Sequence, residues 1–324
     1  MLKKSSSVAL TACSGYDKQT LPQALDRVLN TLELSTTLCS SEVLLKPNLI
    51  SAKTGPLSCT EGVLILAAAR WFIEQGARVG IGDSPAFGTA ASVLKNLNLL
   101  DELTHLGVRI RPFKQGIPVE LSGGGQAVLA RAALECDLLV NIPRVKAHVQ
   151  ARLTMAVKNY FGCLVGLRKA WWHMAYGGNT PCKEKRFFDR LVRIPAALPS
   201  SLNIIDGIVA MHRSGPINGA PYPLCVLAAS TNAVAADRAL HAILRVNPAG
   251  QPCDGGLPTC PYARSSSLAA FLPPLCTGRF FRSIIFRFPA SSILVRFNPF
   301  RFLKSSIRRV FANNDRLLEQ TGRK

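Results

Sequence analysis

Residues 141–173 read NIPRVKAHVQARLTMAVKNYFGCLVGLRKAWWH. The stretch opens as the end of an apolar run, Leu138-Leu139-Val140, which reads as a buried strand broken by Pro143. Lys146 and His148 follow just past that strand. A helical segment then carries Thr154, Lys158 and Asn159, with Thr154 and Lys158 one turn apart on one face. Gly162 and Gly166 loosen it before Trp171-Trp172 and His173 in a loop. Lys146, His148, Lys158 and His173 place four nitrogen side chains within 28 residues. That is how a chain builds a site for an anionic ligand or a metal-bearing cofactor.

Working outward, apolar strands alternate with helices. Strands are expected at 8–12, 43–45, 77–81, 108–111, 138–142, 203–205 and 223–230. Helices are expected at 20–34, where Leu21, Leu25, Val28 and Leu32 share a face, at 62–75 with Gly76 as its stop, and at 90–106. A further amphipathic helix is expected at 183–193, inside the insertion 176–200, and another around Asp237. Gly123-Gly124-Gly125 lacks phosphate-loop spacing and reads as a turn. Continuous apolar strands alternating with helices indicate an α/β fold: a mostly parallel wound sheet with helices on both faces. The α/β domain occupies 1–250, and a basic, aromatic extension occupies 251–324.

Four of these strands end in polar cassettes: Lys46-Pro47-Asn48, Gly82-Asp83-Ser84, Pro143 to His148, and Asp206-Gly207. Parallel α/β sheets bind ligands beyond the carboxyl ends of their strands, so these cassettes are expected to share one rim. Pro, Gly, Asn and Asp are common where strands stop, which accounts for part of the pattern. It does not account for Lys46, Lys146 and His148, because charge at a strand end inside a wound sheet is desolvated unless something pairs with it.

The whole chain has 324 residues, 48% hydrophobic, enough for a sizeable core, and a formal charge of +20. That charge points to acidic ligands, an anionic membrane surface or nucleic acid. The ten cysteines contain no CxxC, so no four-cysteine zinc or iron–sulfur pattern is present. They read as reduced, mostly buried thiols of a cytoplasmic protein. No run of 18 apolar residues suggests a spanning helix. Leu10-Thr11-Ala12-Cys13 imitates a lipoprotein cleavage box, but its apolar part is too short for a secretory segment, and a first strand is the reading taken.

From residue 262 onward twelve Lys/Arg face two acids, which is half the net charge, and nine of the fifteen phenylalanines lie there. Phe and Ile interleaved with Arg suit the headgroup boundary of an anionic membrane, at an inner membrane surface. The alternative is an extension packed on the domain with its arginine heads snorkelling to water. Nucleic acid ranks third, because no recognised binding motif accompanies the charge.

The pieces VLLKPNLIS (43–51), VGIGDSP (79–85), LLVNIPRVKAHVQARLTMAVKNYFGCLVG (138–166), IIDGIVAM (204–211), SGPINGAP (214–221) and AASTNAVAADRAL (228–240) resemble, in this order, the family called domain of unknown function 362. The resemblance implies an α/β sandwich. Many members carry a ferredoxin-like iron–sulfur segment, for which this chain has no cysteines. Ala147 stands where the family often has Thr, and Asn232-Ala233 where Asp-Pro is usual, which puts the role of that turn in doubt. A more distant likeness to the nickel-pincer lactate racemase group implies a metal-bearing cofactor held by lysine and histidine.

Taken together, these readings assign Lys46, Lys146 and Lys158, with Asn48, Ser84 and Asn159, to binding an anionic small molecule or cofactor. His148 would move a proton, oriented by Asp83 or Asp206. His148 and His173 are the side chains available to a metal. His105, His212 and His241 read as structural. Two other readings stand beside this one: a redox component served by a separate iron–sulfur protein, and a non-catalytic ligand-binding or membrane-surface protein.

Overall fold

The computed structural model describes residues 7–32, 34, 38–51, 55–148, 152–166, 168–175, 181–213 and 215–244. In chain order the elements are β1 (Ala9–Ala12), α1 (Thr20–Thr31), β2 (Glu42–Pro47), α2 (Gly62–Glu74) and β3 (Arg78–Ile81). Next come α3 (Ala90–Asn96), α4 (Leu100–His105), β4 (Arg109–Ile110), the hairpin β5 (Gly116–Glu120) and β6 (Gln126–Ala130), and α5 (Arg131–Leu134). The central stretch supplies β7 (Leu138–Ile142), β8 (Arg144–His148), β9 (Arg152–Thr154), α6 (Ala156–Asn159) and α7 (Arg168–Ala175). Last come α8 (Pro181–Leu191), β10 (Ser201–His212), β11 (Ala220–Ser230) and α9 (Ala233–Ile243).

The main sheet runs in the order β1-β11-β10-β7-β2-β3-β4. Strands β10, β7, β2, β3 and β4 are parallel neighbours, as the apolar runs predict. On one side β11 pairs antiparallel with both β10 and β1. Alternate residues of each strand enter two cores. Val43, Leu45, Val140, Ile142 and Ile204 pack with Leu25, Leu64, Phe72 and Leu103 of α1, α2 and α4. Leu44, Leu139 and Ile205 pack with Trp172, Phe187 and Leu240 of α7, α8 and α9. Helices therefore cover both faces of a mixed but mostly parallel α/β sheet, which is why its strands read as continuous apolar runs.

Local chemistry explains the boundaries. Gly76 ends α2 at φ +80°, a conformation a Cβ would disfavour. The helix expected at 90–106 is two helices, because Asn98 turns left-handed at φ 55° and closes α3. Asn232 caps α9, its side chain accepting from Val234 N and Ala235 N, so the turn that departs from the family pattern still starts a helix. Cys13 lies buried beside the end of β1, in keeping with a strand there.

Three expectations for the central region are corrected. Residues 144–148 and 152–154 pair as the antiparallel strands β8 and β9, with β8 continuing the sheet beside β10. Pro143, which has no N–H to give, only interrupts that edge of the ladder. Thr154 thus belongs to a strand and not to the helix of Lys158. His173 lies in a helix, α7, and not in a loop. Strand β10 also runs through Asp206-Gly207 instead of stopping there, because that carboxylate has partners within the fold. The extension 251–324 lies outside the described residues.

Candidate functional site

Because β2, β3 and β7 are parallel neighbours, their carboxyl ends bring Lys46, Asn48, Asp83 and Asn141 to one rim. Lys46 and Asp83 form a buried ion pair, Nζ to Oδ1 3.0 Å, at 0% and 5% exposure. Asp83 Oδ2 also accepts from Leu49 N at 2.9 Å, which ties the loop after β2 to the end of β3. Gly162, just after α6, lies against this pair: a Cβ there would come within 2.6 Å of Lys46 Nζ and closer still to Asp83 Oδ1.

Lys146 comes from β8 and is also fully buried. It donates to Asn48 Oδ1 at 2.5 Å and to Ser58 O at 2.6 Å. Asn48 Nδ2 in turn donates to Asn159 Oδ1 at 2.8 Å. Burial, with Arg144 and Lys158 nearby, brings the Lys146 ammonium down to about 7. Lys158, on α6, is partly buried. Its Nζ lies 4.3 Å from the Phe161 ring centre and 5.7 Å from that of Phe187. Among the described residues no carboxylate lies within ion-pair distance of it. Burial and the charge of Lys46 bring it down to about 8.

Both histidines of the central stretch join this group. His148 is held well below the usual imidazole range by burial and by Lys158, Lys146 and His173. His173 is lowered to about 3 by burial, Lys158 and Lys169. It stacks on Phe187 at 5.0 Å and meets Phe161 edge-on at 5.1 Å. Both imidazoles are therefore neutral at pH 7, the form that accepts a proton or ligates a metal. Among the described residues no group of three or more His, Cys, Asp or Glu gathers as a metal cage. Two neutral imidazoles alone do not make a closed protein site.

Lys169 is a site residue that the sequence reading missed. It is buried on α7 and donates to the carbonyl of Ser84. Its signal was a lysine next to a Trp pair, on the inward face of an amphipathic helix. Asn141, Asn203, Phe161 and Phe187 were missed as well. A single amide inside an otherwise apolar strand is the signal that could have found the first two.

Asp206 goes elsewhere. It is three residues beyond Asn203 on β10 and so points to the opposite pleat. There Asp206 Oδ1 accepts from Tyr16 Oη at 2.6 Å, and its other oxygen accepts from Glu61 N at 3.2 Å. Arg144 Nε lies 3.6 Å from it. Arg144 also donates to Val209 O, Cys59 O, Tyr16 Oη and Glu61 Oε2. This network joins β8, β10 and the loop before α2. Asp83 lies on Lys46 and Leu49, and Asp206 on Arg144 and Tyr16. A separate carboxylate, Asp237 of α9, accepts from Ala156 N at 2.7 Å and Val157 N at 3.0 Å, which fixes the start of the helix that carries Lys158 and Asn159. Burial raises Asp237 to about 7.

The arrangement defines an α/β protein with a buried, cationic rim. Residues 43–242 match the family described as Domain of unknown function (DUF362), and the chain belongs to that family. It is 35% identical over 250 residues to the thylakoid-associated protein sll1697 of Synechocystis sp., covering 76% of this chain and 77% of that protein. Among solved structures it is similar to a lactate racemase apoprotein from Thermoanaerobacterium thermosaccharolyticum, at 14% identity and TM-score 0.46 over 74% of this chain. It is also similar to a structural-genomics protein from Thermotoga maritima, at 10% identity and TM-score 0.46 over 72%. The chain spans 57% and 60% of those two solved chains.

Proposed function

We propose that the protein binds an anionic small molecule or cofactor at the rim and exchanges a proton with it through His148. One observation carries this reading. Lys46, Lys146 and Lys158 gather with two neutral histidines; among the described residues Asp83 pairs with Lys46, and Lys158 lies over the rings of Phe161 and Phe187 with no carboxylate in ion-pair distance. Desolvating an ammonium costs several kcal/mol, whereas a cation–π contact returns about 2 kcal/mol. An anion carrying its own charge closes that gap. On this reading Lys158 and Lys146 hold the anion, Lys46 and Asp83 form the floor beneath Gly162, and Asn48 and Asn159 fix Lys146. His148 and His173 are the groups that would face a metal-bearing cofactor, and no step is derived through one.

The test is a thermal-shift and calorimetric panel of sulfate, phosphate and short carboxylates on wild-type protein and Lys158→Met, with mass spectrometry of whatever co-purifies. Binding by the wild type that Lys158→Met loses without a fall in melting temperature is the expected outcome. Equal binding by both, or none by either together with no co-purifying molecule, refutes the reading.

A second reading concerns location. The Synechocystis relative is thylakoid-associated by name, and residues 262–324 are basic and rich in Phe. Among the described residues no helix is long and apolar enough to cross a membrane. Attachment through that segment to an anionic surface is therefore the form association would take. Flotation with anionic and neutral vesicles, with and without 262–324, tests it, and equal flotation of both proteins counts against it.

A further inference from the structure

Four asparagine amides run head to tail from Lys146 across the sheet. Lys146 Nζ donates to Asn48 Oδ1 at 2.5 Å. Asn48 Nδ2 donates to Asn159 Oδ1 at 2.8 Å, and Asn159 Nδ2 to Asn141 Oδ1 at 2.8 Å. Asn141 Nδ2 donates to Asn203 Oδ1 at 2.9 Å, and Asn203 Nδ2 to the Ser230 carbonyl at 2.9 Å. The chain links the loop after β2, α6, β7 and β10, and it ends on β11.

The direction of this chain is set by its ends. An ammonium can only donate, so Asn48 must present its oxygen to Lys146. A carbonyl can only accept, so Asn203 must present its amide nitrogen to Ser230. Between these ends each amide has one orientation that keeps every bond. Two side contacts enforce it: Asn141 Nδ2 also donates to Ala156 O at 3.0 Å, and Asn203 Oδ1 also accepts from Tyr160 Oη at 2.9 Å. Aligned amide dipoles polarise one another and present their negative end to Lys146. In a dry interior that is the solvation water would otherwise give.

We propose that Asn141 and Asn203 are positioning residues for the cationic rim: by fixing the polarity of the amide chain they hold the oxygen of Asn48 on Lys146 and so set where that side chain stands. The idea rests on the anion-site reading for its purpose, though not for its geometry. The charged or titratable groups that act on Lys146 are Cys59 in the loop before α2, Arg144 and His148 on β8, Lys158 on α6 and Asp83 after β3. None of them belongs to the amide chain, so changes within the chain leave the local charges in place.

The experiment follows the side-chain amide resonances of Asn48 in ligand-free protein carrying 15N-labelled asparagine, assigned by their loss in Asn48→Ala. Asn203→Leu and Asn141→Leu add no charge, and each cuts the amide chain beyond Asn159. In both variants the Asn48 amide protons should shift and exchange with solvent about tenfold faster or more. Asn48 amide protons that exchange freely in the wild type, or that stay unchanged in the folded variants, overturn the proposal. If one variant fails to fold, the other against wild type decides. Sulfate binding is measured separately: the expected change at Asn48 with no sulfate binding by the wild type counts against the anion site and leaves the positioning role standing.

Discussion

Replacing Lys158 by Met removes the ammonium that rests on the Phe161 and Phe187 rings, and its consequences follow with sulfate, which stays dianionic throughout. In the free protein Lys158 loses its proton near pH 8. A bound dianion raises that value, so below about pH 7 the site already holds its proton and the affinity is flat. Above pH 8 each binding event must take up a proton, and affinity should weaken about tenfold per pH unit, about 1.4 kcal/mol. If sulfate also reaches Lys146, whose proton leaves near 7, the fall becomes steeper. Lys158→Met should weaken binding about ten- to hundredfold at pH 7, the worth of a charge-assisted contact, and should abolish the slope above pH 8. Stability should move the other way. The folded-state value lies below the unfolded 10.5, so burial of the charged amine is a penalty that is complete below pH 8 and fades towards pH 10.5. The variant should gain about 1–2 kcal/mol at pH 7, after a discount for partial exposure, and nothing above pH 10.5. Calorimetry in two buffers of different ionisation heat reads the proton uptake, and urea unfolding reads the stability. A variant that keeps the wild-type slope, or loses binding and stability together, would refute the reasoning.

Gly162→Ala should destabilise by about 1–3 kcal/mol and lower sulfate affinity, because its Cβ enters the space of the Lys46–Asp83 pair; unchanged melting and binding would place that pair elsewhere. Asp206→Asn removes the fully buried one of Arg144's two carboxylates and should lower stability by about 3 kcal/mol, while sulfate affinity of the folded variant stays at the wild-type value; a matched loss of affinity would put Asp206 back at the rim. Asp237 is raised to about 7 by burial, so its contribution is present below about pH 4 and is lost as the pH rises through 7. Urea unfolding from pH 4.5 to 7.5 should show a fall for the wild type that Asp237→Asn flattens, and parallel curves would contradict it.

The parallel strands were legible because each is covered on both faces, which leaves an apolar run in the sequence: Val43-Leu44-Leu45 feeds both cores at once. Lys46, Asp83 and Lys146 stood out as candidates for the same reason, since charge next to such a run is conspicuous; Lys158 was legible from its helix, although Thr154, expected to share its face, lies on a strand. The strand pair β8–β9 was hidden by its own chemistry. Arg144, Lys146 and His148 alternate with Val145 and Ala147 at strand period, yet Pro143 and three basic groups look like a loop. Asp206 was misplaced because its partner Arg144 is 62 positions earlier and its Tyr16 contact is 190 residues away. Adjacency to a strand end says where a side chain starts, and the pleat decides which face it meets. Asn141 and Asn203 each looked like an isolated polar residue, although together they span neighbouring strands in register.

The same sheet supplies a comparison that bears on the anion site. Arg144 and Lys158 are both cations taken out of water by one fold. Arg144 is answered in full: two carboxylates, a tyrosine hydroxyl and backbone carbonyls surround its guanidinium. That pattern joins three segments and needs nothing from outside. Lys158 has two aromatic faces, with Lys46 acting on it from the Asp83 side. If burial of positive charge served only to tie this chain together, evolution of the fold had a worked solution one strand away and did not apply it at Lys158. An ammonium placed on rings, beside neutral imidazoles and above a lysine whose charge Asp83 already answers, supports the proposal that the missing negative charge arrives with a ligand.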